Sequence, residues 1–140
     1  MIPSRRELVD EARTWLGVKF KKGGRNRTGV DCIGLLIGVG RRFGFDIEDT
    51  IEYSFSPEPS KFQDMVYGQT IQRDEFDVLE GSIVILRQSI FPMHTGLIAK
   101  DAYGRWSIIN ANLKERKVVE QSIDVWADLI IGIRDYKEMA

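Results

Sequence analysis

Asp31-Cys32-Ile33-Gly34-Leu35 contains the only cysteine of this 140-residue chain, and its only histidine, His94, lies far downstream. A single cysteine leaves no internal disulfide and no multi-thiolate zinc site. Asp31 is a good helix N-cap, and Leu35, Leu36 and Val39 then share one helical face. The pattern predicts a helix that begins at Cys32 and ends near Phe43-Gly44. A thiol in the first turn of a helix faces the positive end of the helix dipole, which favours thiolate. A lone cysteine is commonly just a small buried hydrophobe, so the surrounding sequence has to decide.

Upstream, Ser4 to Gly17 reads as an amphipathic helix with Leu8, Ala12, Trp15 and Leu16 on one face and Gly17 as its stop. Ser4 followed by Glu7 has the spacing of a capping box. A glycine-rich basic loop from Lys21 to Gly29 then delivers the chain to Asp31. Residues 46–76 are mixed, with Pro57 and Pro59 interrupting regular structure and a short helix expected around Lys61 to Tyr67.

From Gly81 the pattern becomes strand-like. Ser82–Arg87, His94–Lys100, Trp106–Ala111, Lys117–Glu120 and Leu129–Arg134 are β-rich runs, and Asp101-Ala102-Tyr103-Gly104 is a hairpin turn between two of them. Helices first and antiparallel strands afterwards predict an α+β fold, with N-terminal helices on a sheet of about five strands and residues 1–140 as a single domain.

Net charge is −1, so overall charge selects neither nucleic acid nor membrane as a partner. The balance is uneven: Lys19, Lys21, Lys22, Arg25 and Arg27 form a run without acids, whereas Asp46 to Glu52 is acidic. The N-terminus lacks the apolar stretch of a signal peptide, and no apolar run reaches the ~20 residues that span a bilayer. Synthesis in a reducing cytoplasm is the expectation.

Cys32 at a helix start and His94 at a strand start supply two parts of a cysteine-peptidase site, which needs a thiol, an imidazole and a group to orient the imidazole. Asn110 and Asn112 are both candidates for the third part. Period-two alternation puts them on one face, so periodicity does not choose between them.

Gly23-Gly24 ahead of Asp31-Cys32-Ile33-Gly34-Leu35, then Gly81-Ser82-Ile83-Val84, His94-Thr95-Gly96-Leu97 and Ile108-Ile109-Asn110-Ala111, resemble the NlpC/P60 cell-wall peptidases. The order and spacing of these motifs match across nearly the whole chain. The resemblance implies a papain-like fold, Cys32 as nucleophile, His94 as general base and no metal or organic cofactor. It puts Asn110, rather than Asn112, at a third position that the family usually fills with histidine. Peptidoglycan stem or cross-bridge peptides are the implied substrate, cut between D-glutamate and a diamino acid. Asp31, Gly34, Phe20 and Arg25 are the implied substrate-contacting residues, with the basic loop attracting stem-peptide carboxylates. Phe20 stands near the double glycine where many members carry an oxyanion-binding tyrosine, and phenylalanine has no hydroxyl to donate. Lys117-Val118-Val119-Glu120 is similar to the branch associated with phage and gene-transfer-agent tails, which adds tail proteins as partners and a tail particle as the route to the wall.

Overall fold

Ser4 starts the first helix by a reciprocal cap: its hydroxyl accepts from the Glu7 N–H, and the Glu7 carboxylate accepts from the Ser4 N–H. The computed structural model describes residues 2–55, 58–74, 77–88 and 91–140, so the expectation for Pro57 lies outside the described residues. The chain runs α1 (Arg5–Arg13), β1 (Arg25–Asn26), β2 (Gly29–Val30), α2 (Cys32–Arg42), α3 (Glu52–Phe55), α4 (Pro59–Gly68), β3 (Thr70–Arg73), β4 (Ile83–Gln88), β5 (Phe91–Lys100), β6 (Trp106–Asn112), β7 (Lys117–Ser122) and β8 (Ile130–Tyr136). Two 3₁₀ segments, Ile123–Leu129 and Lys137–Met139, flank β8. β1 and β2 form a small hairpin, and the other strands form one antiparallel sheet in the order β3-β8-β4-β5-β6-β7.

The α+β expectation holds, with six strands in the main sheet instead of about five. The extra strand, β3, reads Thr-Ile-Gln-Arg and sits at the edge, paired only with β8. A polar edge strand is defined by its neighbour's ladder and leaves little mark of its own in sequence. The helix expected around Lys61 is α4, with Pro59 in its first turn. Asp101 shapes the expected hairpin turn by accepting from the N–H groups of Tyr103 and Arg105.

Helix α1 is shorter than its pattern. It ends at Arg13, and the chain then tightens into three-residue turns from Thr14 to Leu16. That tightening keeps Trp15 in the core but swings Leu16 off the face, leaving it 42% exposed.

Apolar residues fill both faces of the sheet. Leu8, Val9 and Ala12 from α1 and Leu35, Leu36 and Val39 from α2 pack on Ile83, Ile85, Leu97 and Ile109. Val84, Leu86, Ile98, Ile108 and Ile133 form the opposite cluster, covered by Trp106, Ile123 and Trp126. Because both faces are buried, the central strands read as continuous apolar runs rather than alternating ones.

One buried carboxylate ties the first helix to the last strand. Asp135 accepts from Arg5 at 3.0 and 3.1 Å, from Arg73 at 2.9 Å and from Ser82 at 2.9 Å. Burial alone would raise its pKa, but the bonds from Arg5, Arg73 and Ser82 outweigh burial and hold it below the usual carboxylate range. Its stabilisation is therefore present above the ordinary carboxylate pKa and is lost as pH falls through the lowered one. Asp135→Ala, which strands two guanidinium groups, should cost about 3 kcal/mol by urea unfolding at pH 7. A loss below about 1 kcal/mol would mean that solvent replaces the carboxylate.

Candidate active site

Asp31 builds the N-terminus of α2. One carboxylate oxygen accepts from the Gly34 N–H at 2.7 Å and from Arg25 at 3.1 Å. The other accepts from the Gly23 N–H at 2.9 Å and from the Tyr53 hydroxyl at 2.7 Å. The Tyr53 oxygen in turn accepts from Arg25 at 2.6 Å. Gly34 is required by close approach: a Cβ there would lie 2.2 Å from the Gly24 carbonyl oxygen. The hairpin of β1 and β2 thus presses directly on the first turn of α2, and Cys32 is 8% exposed.

His94 arrives from the sheet. The expectation that it opens a strand is corrected here, because β5 begins at Phe91 and His94 lies inside it, opposite Leu86. The register shifts between Leu86 and Arg87, so His94 sits beside a bulge, a feature that re-aims side chains. The β5–β6 ladder ends at Leu97–Ile109, just short of His94 on one strand and Asn110 on the other. At that end Gly96 makes room for β6, since a Cβ there would meet the Ile109 carbonyl oxygen at 2.8 Å and Asn110 Cβ at 3.1 Å.

Cys32, His94, Phe20 and Asn112 line one cleft of about 480 Å³, with Leu113, Lys114, Glu115, Gln121, Val125 and Trp126 as its remaining walls. The His94 Nε2 lies 2.9 Å from Asn110 Oδ1. Asn112 touches the imidazole only through Asn110, donating from its amide to Asn110 Oδ1 at 3.1 Å. Of the two asparagines that periodicity left open, Asn110 is the one whose side chain meets the imidazole directly.

Three of the expected substrate contacts have other work. Asp31 is a buried cap, Gly34 is covered by Gly24, and Arg25 is held by Asp31, Asp49 and Tyr53 with its side chain only 18% exposed. None of the three lines the cleft, because the carboxylates nearest in the fold have already claimed the guanidinium. Phe20 does line it. Sequence reasoning missed Gln121 and Trp126. Gln121 lies past the end of the expected β7 and Trp126 in a 3₁₀ segment between strands, where no periodic signal points.

The electrostatics reverse one expectation. Burial pushes the Cys32 thiol up to about 12, and the Asp31 charge adds to the rise, while the backbone N–H groups of Thr95, Ile33 and Cys32 favour thiolate without prevailing. Burial also lowers the His94 pKa, opposed by the bond to Asn110. Both shifts favour a resting pair of neutral thiol and neutral imidazole.

No protein-family model matches the sequence, and no curated protein matches it. Solved structures do match. An NlpC/P60 family protein from Bacillus cereus aligns with a TM-score of 0.75 at 16% identity, over 97% of this chain and 41% of that one. The NlpC/p60 domain of the peptidoglycan hydrolase SagA aligns with a TM-score of 0.64 at 17% identity, over 95% of this chain and 98% of that one. An N-acetylmuramoyl-L-alanine amidase from Bacteroides uniformis aligns with a TM-score of 0.56 at 13% identity, over 93% and 96% of the two chains. The chain spans less than half the length of the Bacillus protein, and at these identities the shared property is the fold, that of NlpC/P60 structures.

The resting state has a pH signature. Imidazole accepts a proton only above its own pKa, so the acid limb of kcat/KM should lie below pH 6.5. Iodoacetamide should alkylate Cys32 slowly at neutral pH and faster above the free-thiol value near 8.5. A rate plateau already reached below that pH would show a thiolate–imidazolium pair at rest. The cap is testable apart from activity: Asp31→Ala should cost about 3 kcal/mol in urea unfolding, since it frees one helix-end N–H, one loop N–H, a guanidinium and a hydroxyl.

Proposed function

We propose that this chain is a papain-like cysteine endopeptidase of the NlpC/P60 type, hydrolysing stem or cross-bridge peptides of bacterial peptidoglycan. The observation that carries this reading is the shared cleft: a thiol at a helix N-terminus and an imidazole whose Nε2 is held by Asn110 line the same walls. The likeness in fold to the SagA peptidoglycan hydrolase domain supports the substrate class.

The chemistry follows from the groups present. As a peptide carbonyl enters, the Cys32 proton passes to His94, and the sulfur forms a C–S bond while the carbonyl π-electrons move to oxygen. The tetrahedral intermediate collapses, the C–N bond breaks, and the leaving amine takes its proton from the imidazolium. Water, deprotonated by His94, then cleaves the thioester and restores the thiol. Burial favours the neutral form of both groups, and in that state the imidazole serves as a true general base.

The cleft suits a peptide with apolar and charged parts, since Phe20, Leu113, Val125 and Trp126 stand beside Lys114 and Glu115. With Arg25 engaged elsewhere, Lys114 is the cation facing a stem-peptide carboxylate, and the bond between D-glutamate and a diamino acid is the one we assign. A tail particle as carrier, with tail proteins as partners, rests on the resemblance around Lys117–Glu120. A second reading, hydrolysis of the amide joining the stem to the glycan, is favoured by the likeness to the Bacteroides amidase.

Digestion of purified sacculi separates the readings. The endopeptidase should release new amino termini on the diamino acid, while an amidase would free amino-terminal L-alanine, and Cys32→Ser should release neither. No turnover by the wild type would leave a structural tail protein on the same fold. Phe20→Tyr, placing a hydroxyl in the cleft beside Cys32, should raise acylation about tenfold, equivalent to about 1.4 kcal/mol. An unchanged rate would mean that another donor already meets the oxyanion.

A further inference from the structure

Asn110 itself needs orienting, because its amide could present either oxygen or nitrogen to the imidazole. The neighbouring groups decide. An indole N–H only donates, so the Gln121 atom 3.0 Å from Trp126 Nε1 is its oxygen. That same oxygen lies 3.0 Å from the Asn110 amide, which must therefore offer its nitrogen there. A second anchor acts from the opposite side. The backbone N–H of Glu115 donates to Asn112 Oδ1 at 2.9 Å, which turns the Asn112 nitrogen toward Asn110 and requires an acceptor in reply. Both chains of logic put Asn110 Oδ1 against His94 Nε2. The nitrogen facing that oxygen carries the proton, and Nδ1 keeps the lone pair.

We propose that Gln121 and Trp126 are positioning residues that set the tautomer of His94, acting through Asn110, so that Nδ1 is the nitrogen presented to Cys32. The proposal rests on the cysteine-peptidase reading for its catalytic meaning, though the tautomer itself does not. Trp126 acts twice, since its ring also lies against the imidazole with centroids 5.1 Å apart and planes inclined by 32°. The arrangement accommodates the imidazolium too: with both nitrogens protonated, Nε2 still donates to Asn110, so the ring stays in place while Nδ1 gains and loses its proton. Asn110 is fully buried, where a mismatched amide has no water to turn to.

His94 is the only histidine, so its ring nitrogens give an unambiguous signal in long-range ¹H–¹⁵N spectra of the intact protein. The neutral wild type should show the Nε2–H tautomer. Gln121→Met removes the acceptor at similar length and should yield a mixture of tautomers, with kcat lowered about tenfold and KM nearly unchanged. Trp126→Phe keeps a ring beside the imidazole but frees the Gln121 amide to turn, and should move the balance in the same direction. Gln121→Glu supplies an acceptor only, so it should retain the Nε2–H tautomer while its charge raises the acid limb of the pH profile. An Nδ1–H imidazole in the wild type would overturn the proposal, as would a tautomer balance that neither Gln121→Met nor Trp126→Phe moves. A fixed Nε2–H tautomer that these variants disturb, in a protein that digests no sacculi, would keep the relay and discard the substrate.

Discussion

The Asp31 carboxylate is the constraint on which the rest of the site depends. It satisfies the free Gly34 N–H in the first turn of α2, gathers the preceding loop through Gly23, and holds Arg25 and Tyr53, which belong to segments far apart in sequence. Without those four donors the carboxylate would be an uncompensated charge at 3% exposure, which a protein interior does not tolerate. With them it becomes a rigid corner, and Cys32 is the residue that follows it. Cys32 is thus placed by the cap that precedes it as well as by its own packing in the core. Burial, and after it the Asp31 charge, push the Tyr53 hydroxyl pKa up, so Tyr53 remains a donor throughout the working range.

Burial then decides the protonation state. A helix N-terminus and three N–H groups near the sulfur are the usual ingredients of a thiolate, yet the covering hairpin and the adjacent Asp31 charge work against one. The same low-dielectric setting lowers the His94 pKa and so disfavours its charged form. Neutral partners cost less to bury than an ion pair, and charge needs to separate only when a carbonyl arrives to use it. Under the cysteine-peptidase reading proposed above, this shifts the burden of catalysis from a pre-formed thiolate to the orientation of the imidazole. A general base in the wrong tautomer offers its thiol neighbour an N–H instead of a lone pair, and no adjustment of pKa repairs that.

What the sequence disclosed was local. Ser4 with Glu7, Asp31 ahead of Cys32 and the Asp101 turn are read correctly because each depends on residues within a few positions. Arg25 misled for the converse reason: a basic loop looks solvated until Asp49 and Tyr53, brought by later segments, reach it. β3 and the early end of α1 were hidden because strand pairing and a tightened turn settled them, not intrinsic preference. Gln121 and Trp126 carry no motif at all. Their meaning is a donor–acceptor relation across three elements, visible only once β6, β7 and the following 3₁₀ segment lie side by side.

The place of the cleft in the sheet also has a cause. A continuous ladder would consume the backbone donors of β5 and β6 and press their side chains into one surface. Here the ladder stops at Leu97–Ile109, and Gly96 permits the close crossing that precedes the separation. Beyond that point the Thr95 N–H turns toward the Cys32 sulfur, and the polar side chains of His94, Asn110 and Asn112 pair with one another. The end of regular pairing thus falls beside the two apolar clusters that cover the faces of the sheet. Cys32 and His94 are buried there like core residues, yet both line the cleft.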